Sequence, residues 1–411
     1  MMFINDTYYN LEDFETQFEI LEENSFWRDC GSKRLAVCLE DAFLFLAAAF
    51  FIRSKGGTLI PIPASSPPEA AVRLADRASA DLLFYQSQIS PTEFQQKKKG
   101  KSGQLVGFSS GTTGEPKCIE RSWNAIETEI DSYNEHFPLK ENLQPVIACP
   151  VTHSFGLISG VFSALRRGSQ PLIITEKNPK YLLKKLKEQR EHLLYASPVL
   201  LFTVVRLLKS TESLYAVMSS GAMLTERQLK LLKEKTHLVL QQYGCSEAGC
   251  IAAGIACSAE EMGLPLPHLA VSAGKSMEEP GEILVESSGS ILHTRDWGYV
   301  REDGVLCFLS RMDDMINVAG LNVYPQEVEA ILLEAEGIVE AAVYKKADKL
   351  AGERVCAQVV VNGPLQEEKL REWCRQNLQA HQIPVDIHIV EAIQTSANGK
   401  LNRKRLGEMV L

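Results

Sequence analysis

Ten residues constrain this chain more than any others: Phe108-Ser109-Ser110-Gly111-Thr112-Thr113-Gly114-Glu115-Pro116-Lys117. They follow an apolar run, Leu105-Val106-Gly107-Phe108, that reads as the end of a strand. Glycines let backbone N–H groups turn toward an anion, and small hydroxyls add donors without bulk. Lys117 brings a mobile positive charge toward terminal phosphates. The pattern is not Walker A, because no Gly-Lys-[Ser/Thr] follows and no helix opens directly on the lysine. Taken alone, the same residues would also suit a Ser/Gly/Thr turn at the surface.

Upstream, Arg34–Leu39 is a short apolar strand, residues 42–52 an apolar helix between Asp41 and Arg53, and Gly56–Pro63 a strand interrupted by prolines. Strand, helix and strand at this spacing form a βαβ unit, so the fold is α/β with an at least partly parallel sheet. The helix is too short to span a bilayer. Lys97-Lys98-Lys99-Gly100-Lys101 reads as a basic linker. Beyond the loop, strands are expected at 145–150 and 193–196, residues 216–222 read as a strand ending in a small-residue turn, and a charged helix is expected over 181–190. His153 follows the first of these, where ligands usually bind in an α/β sheet. By itself it could equally bond a loop carbonyl. From Tyr324 onward the chain reads as a compact α+β unit. It has a helix opened by Pro325 and ended by Gly337, strands at 341–344 and 355–361, and an amphipathic helix over 370–378.

Four stretches in order resemble the signatures of the AMP-forming adenylating enzymes: the acyl- and aryl-CoA synthetases, nonribosomal peptide adenylation domains and luciferases. They are Ser109–Lys117, Tyr243-Gly244-Cys245-Ser246-Glu247, His293-Thr294-Arg295-Asp296-Trp297-Gly298 with Ser310-Arg311-Met312-Asp313-Asp314, and Asn398-Gly399-Lys400. The resemblance implies a large N-terminal domain, 1–312, of parallel and mixed sheets flanked by helices. A small mobile α+β domain, 313–411, would follow, with its hinge near Asp313. It also implies ATP and magnesium as cofactors. Ser109, Ser110, Gly111, Thr112, Thr113, Gly114 and Lys117 would hold phosphates, and Gly221, Ala222, Tyr243 and Gly244 the adenine. Ser246 would bond a phosphate oxygen, Glu247 ligate Mg2+, Asp296 take both ribose hydroxyls, and Arg311 bond ribose or phosphate oxygens. Lys400 would be the catalytic lysine and His153 would sit near the reacting carboxylate. The chain departs from the pattern at Ser246 for Thr, and at Arg295 and Ser310 for glycines. Its N-terminal region looks trimmed relative to the family.

His153-Ser154-Phe155 speaks to the substrate. Amino-acid-activating relatives hold the ammonium with an aspartate at the Ser154 position, and a buried ammonium without a counter-charge is costly. The run resembles the aryl-acid ligases of catecholate siderophore pathways, which carry His-Asn-aromatic there. The implied reaction is activation of a hydroxylated aryl acid, such as a dihydroxybenzoate, to acyl-AMP with release of pyrophosphate. Transfer to the phosphopantetheine thiol of a carrier protein or CoA would follow. A medium- or long-chain fatty acid–CoA ligase is the alternative. A P-loop NTPase lacks its motifs here, and a non-catalytic nucleotide-binding module would be expected to have lost Glu247 or Lys400.

The net charge of −9 argues against a nucleic-acid partner. The ten cysteines show no CxxC pair and read as reduced thiols. The acidic N-terminus has no signal-peptide pattern. These features together imply a cytoplasmic protein with no membrane partner.

Overall fold

The apolar stretch after Asp41 forms the helix Ala42–Ser54, capped by the Asp41 carboxylate, which accepts the Leu44 N–H at 3.0 Å. Phe45, Leu46, Ala47, Ala48, Ala49 and Ile52 are all at most 1% exposed, although they point in every direction around the axis. A helix that is apolar all round has to be covered all round, and two sheets do so here. In a computed structural model of the chain, residues 1–95, 103–109, 117–136, 143–287, 289–348, 351–363, 366–394, 401 and 403–408 are described.

One sheet has six strands in the order Thr92–Glu93, Leu82–Tyr85, Arg34–Cys38, Thr58–Pro61, Gln104–Ser109 and Lys117–Ser122. Arg34–Cys38 runs parallel to both its neighbours, which is the expected βαβ arrangement. The other sheet has thirteen strands. At its centre Gln144–Ile147, His192–Ala196, Leu214–Ser219 and Thr236–Cys245 lie side by side and parallel. Antiparallel strands from Gly249–Ile255 to Ser290–Val300 extend it on one side. The N-terminal hairpin, Met2–Ile4 with Thr7–Tyr9, extends it on the other.

Side chains from both sheets meet in one core with the helices Leu11–Glu23, Ala42–Ser54 and Trp123–His136 between them. The outer face of the larger sheet is covered by Pro179–Glu188, Pro198–Leu207 and Glu226–Lys235, and that of the smaller sheet by Pro68–Arg77. The result is five alternating layers of helix and sheet.

A third sheet begins at Ile316 and has its own core, built from Ile316–Val318, Leu321–Val323, Ile338–Asp348, Gly352–Val361 and Asp386–Ile389 with the helices Pro325–Glu334 and Glu367–Asn377. The helix opened by Pro325 stops at Glu334 rather than at Gly337. Gly337, at φ +85°, makes the turn into the next strand instead. The strand expected over 145–150 ends at Ile147. A wide π-type helix, Phe155–Phe162, follows His153 and has no counterpart in the expectations from sequence. None of the described helices is long and apolar enough to cross a membrane.

In the third sheet's unit, Glu329 is 9% exposed and both of its oxygens accept from Arg403 Nη2, at 2.8 and 2.9 Å. Arg403 also faces Asp314 at 3.4 Å and donates Nε–H to the Val343 carbonyl at 3.0 Å. Removing one member of a buried pair strands the other charge, at a cost of about 3–5 kcal/mol. Glu329→Ala is expected to lower the stability of this unit by about that amount, read as lost amide-exchange protection in Ile338–Asp348. Unchanged protection would mean the pair is not buried as described.

Candidate nucleotide and carboxylate site

Because the four central strands of the large sheet are parallel, their carboxyl ends open along one edge, where doubly wound sheets bind ligands. Three of the four ends carry candidate site residues singled out from the sequence. Gln144–Ile147 leads to His153, Ser154 and Phe155. Leu214–Ser219 leads to Gly221 and Ala222, both exposed, with Gly221 at φ +90° where a side chain would be strained. Thr236–Cys245 carries Tyr243 and Gly244 and runs into Ser246 and Glu247.

Two hairpins carry the residues expected from the sequence to handle phosphates. Ser109 pairs with Lys117 across antiparallel strands, so the loop between them is pinched shut at its base. Ser110, Gly111, Thr112, Thr113 and Gly114, like the basic linker at 97–101, lie outside the described residues. Lys117 is exposed. In the second hairpin Cys245 pairs with Gly249, which leaves Ser246, Glu247 and Ala248 at the tip. The exposed Glu247 carboxylate makes no hydrogen bond or ion pair among the described residues. Burial pushes the neighbouring Cys245 thiol up to about 12, so it is no thiolate nucleophile.

Tyr243 reaches Asp296 across the sheet. Its hydroxyl donates to Asp296 Oδ2 at 2.6 Å, and Arg311 Nε lies 3.2 Å from Oδ1. Asp296 and Arg311 are direct partners on neighbouring strands. Burial, reinforced by the Asp296 carboxylate, raises the Tyr243 phenol far above its ordinary value, so it stays a donor at any working pH. The Tyr243 ring packs against Phe308, with centroids 5.6 Å apart. Only 8% of the residue is exposed, so little of its face is open for stacking. Asp296 and Tyr243 sit on strands that are not neighbours in the sheet, so the antiparallel half must curl back over the parallel half.

Near His153, the Ser154 hydroxyl does not cap the helix it begins. Phe155 packs against Tyr195, with centroids 5.7 Å apart. Beside them lies a polar group that sequence reasoning did not find. The Tyr133 hydroxyl is 3.4 Å from that of Tyr195 and 3.2 Å from Gln242 Oε1, and Gln242 Nε2 donates to Ser159 Oγ at 3.2 Å. These residues are 62 to 109 positions apart from Tyr133 where they meet it, so no local pattern announces them. Asp313 lies in the turn before the third sheet, and its carboxylate accepts from Arg295 Nη2 at 2.9 Å. Lys400 lies outside the described residues.

The family model for AMP-binding enzymes matches residues 95–292, and that for the AMP-binding enzyme C-terminal domain matches residues 327–400. A 3,4-dihydroxybenzoate–[aryl-carrier protein] ligase from Bacillus anthracis is 38% identical over 408 residues, which is 99% of this chain and 98% of the relative. Among solved structures, o-succinylbenzoate CoA synthetase from Bacillus subtilis with its acyl-adenylate intermediate superposes with a TM-score of 0.85 at 19% identity, over 98% of this chain and 94% of the other. The same enzyme with ATP and magnesium ion also gives 0.85 at 19% identity, over 98% and 96%. The shared fold accounts for the layers and for the unit that starts near Ile316.

Arg295 adopts φ +60°, a left-handed backbone that costs a residue with a Cβ about 1–2 kcal/mol. This is the physical reason a glycine suits that position. Ser310, at the other departure from glycine, lies in ordinary strand backbone. The Arg295–Asp313 pair is largely solvated and worth at most about 1 kcal/mol. Arg295→Gly is therefore expected to leave stability nearly unchanged, trading the pair for relief of strain. Arg295→Ala keeps the strain and loses the pair, and should be less stable than Arg295→Gly by about 1 kcal/mol. Urea unfolding of the two variants side by side checks the order.

Proposed function

The chain belongs to the AMP-binding enzyme family, and from that premise we propose that it activates a dihydroxybenzoate with ATP and passes the aryl group to the phosphopantetheine thiol of an aryl carrier protein. The family's reaction makes it an AMP-forming acid–thiol ligase. A carboxylate is a poor acyl donor because its oxygen leaves badly. Attack of that oxygen on the ATP α-phosphate forms the mixed anhydride and expels pyrophosphate. The thiol then attacks the acyl carbon and AMP leaves. Crowded negative charge is the main barrier to the first step, so positioning and electrostatic neutralisation do most of the catalysis.

In this reading Ser109–Lys117 cradles the β- and γ-phosphates, Asp296 binds the ribose hydroxyls and Arg311 bonds ribose or phosphate oxygens. Gly221 and Ala222 give adenine close access to backbone, and Tyr243 orients Asp296 through its hydroxyl. Glu247 is the carboxylate to hold magnesium, which screens phosphate charge when bound. One carboxylate with no hydrogen bond or ion pair among the described residues fits a cation that takes its remaining ligands from phosphates and water. His153 lies beside the reacting carboxylate. Lys400 neutralises charge on the α-phosphate, and rotation about Asp313 withdraws it before the thiol enters. The two acids at the hinge are gripped from opposite sides, Asp313 by Arg295 and Asp314 by Arg403. ATP and reduced carrier thiols meet in the cytoplasm, and the enzyme is assigned there.

The substrate rests chiefly on full-length similarity to a 3,4-dihydroxybenzoate ligase. The geometry supports it. Half-buried Phe155 packs against the buried Tyr195 ring, Ser154 supplies a hydroxyl but no counter-charge for an ammonium, and the buried hydrogen-bonded group of Tyr133, Tyr195, Gln242 and Ser159 lies behind them.

Pyrophosphate exchange with benzoate, its mono- and dihydroxy derivatives and C4 to C12 fatty acids is expected to favour a dihydroxybenzoate. Preference for any unbranched fatty acid over every aryl acid would overturn the substrate while leaving adenylation standing. Lys400→Ala is expected to slow acyl-AMP formation about 10²–10³-fold, as for loss of one oxyanion donor. Thioester formation from supplied aryl-AMP should survive. Equal loss of both half-reactions would remove the role given to Lys400.

A further inference from the structure

Among the described residues, the least exposed ion pair in the layer between the two sheets joins Arg121, 9% exposed, to Glu129, 1% exposed. Arg121 Nη2 lies 2.7 Å from Glu129 Oε2. The other carboxylate oxygen, Oε1, accepts the backbone N–H of Cys250 at 2.8 Å. Gly249 packs flat on the pair at φ +78°. A Cβ there would come within 2.3 Å of Glu129 Oε2 and 2.4 Å of Arg121 Nη1.

The places these residues occupy give the pair its meaning. Arg121 is on the strand Lys117–Ser122, which leaves the phosphate-handling loop four residues earlier, in the six-stranded sheet. Cys250 and Gly249 start the strand that leaves the Ser246-Glu247 tip, in the thirteen-stranded sheet. Glu129 comes from the helix between them, Trp123–His136. The bases of two hairpins from two different sheets are thus tied together through one carboxylate. Burying two charges is expensive. An apolar replacement of the same size could fill the space but could not hold the Cys250 N–H.

We propose that Arg121 and Glu129 are positioning residues that fix the Glu247 tip relative to the phosphate loop, and so set the affinity for magnesium-bound ATP. The proposal rests on the reading of Glu247 as the metal-holding carboxylate and of Ser109–Lys117 as the phosphate loop. Neither Arg121 nor Glu129 touches nucleotide in this scheme. Their effect is confined to ligands that carry β- and γ-phosphates with magnesium, and AMP, which lacks both phosphates, does not feel it.

Calorimetry of the full chain with two probes tests this: Mg2+ with the β,γ-methylene analogue of ATP, and AMP alone. Glu129→Gln keeps an oxygen for the Cys250 N–H but removes the charge that holds Arg121. It is expected to weaken the magnesium–analogue complex by about 10–100-fold, the usual cost of losing a partner that orients a metal ligand. AMP binding should stay within about twofold of wild type, a change too small to signal loss of the nucleotide pocket. The double variant Arg121→Gln/Glu129→Gln leaves no buried charge unpaired. It should melt near wild type yet bind the analogue as weakly as Glu129→Gln, and it carries the test alone if the single variant does not fold. Wild-type binding of the analogue by a folded variant, or parallel loss of AMP binding, would overturn the proposal. Glu247→Gln, run alongside, separates the premise from the inference. If it binds the analogue like wild type, the reading of Glu247 fails. If it binds weakly while the Arg121 and Glu129 variants do not, only the positioning role fails.

Discussion

Two sheets with apolar inner faces have to share a single layer of helices, and the remaining architecture follows from that sharing. The helix Ala42–Ser54 contributes apolar residues on all sides because it touches sheet both above and below. Trp123–His136 lies in the same layer but carries Glu129 inward, so the layer is not wholly apolar. Where that charge sits, it has Arg121 beside it and a backbone N–H to bond, as a buried carboxylate must. The helix layer therefore does more than fill space. It joins the strand after the phosphate loop to the strand after Glu247.

The parallel order of the four central strands gathers the site. Once Gln144–Ile147, His192–Ala196, Leu214–Ser219 and Thr236–Cys245 run the same way, His153, Gly221 and Glu247 have to emerge along one edge despite lying far apart in sequence. The antiparallel half then curls until Asp296 meets the Tyr243 hydroxyl at 2.6 Å. That contact fixes a carboxylate whose oxygens face Tyr243 on one side and Arg311 on the other. For the ribose-binding role proposed for Asp296, such holding sets the geometry before nucleotide arrives.

Departures from a family's pattern become readable once the backbone is known. Arg295 occupies a left-handed position, and its long side chain turns back to Asp313. The cost of the backbone is partly offset by an ion pair that glycine could not make. Ser310 meets no such strain, because its strand is extended and only its small size matters at a fully buried site. Ser154 begins a π-type helix without capping it, which leaves a hydroxyl at the strand end and no charge. The three substitutions act on strain, packing and electrostatics respectively, and none breaks the frame around the nucleotide site.

Much of this protein was legible in the residues themselves. The βαβ start, the buried helix after Asp41, the strand ahead of Ser109, the turn at Gly221 and the separate α+β unit are each written in local periodicity and in glycine and proline positions, because local backbone preferences act over a few residues. The ordered signatures from Ser109 to Lys400 were likewise a matter of chain order, which a sequence states outright. Other features depend on which distant segments become neighbours. The polar group of Tyr133, Tyr195, Gln242 and Ser159 comes from four elements, and the Arg121–Glu129–Cys250 link from three. Nothing in the spacing of those residues marks them, since a buried hydrogen bond is decided by sheet order and helix packing. The π-type helix after Ser154 and the curl that brings Asp296 to Tyr243 are of the same kind. Both are settled by how the layers close over one another, and that closure is a property of the whole fold.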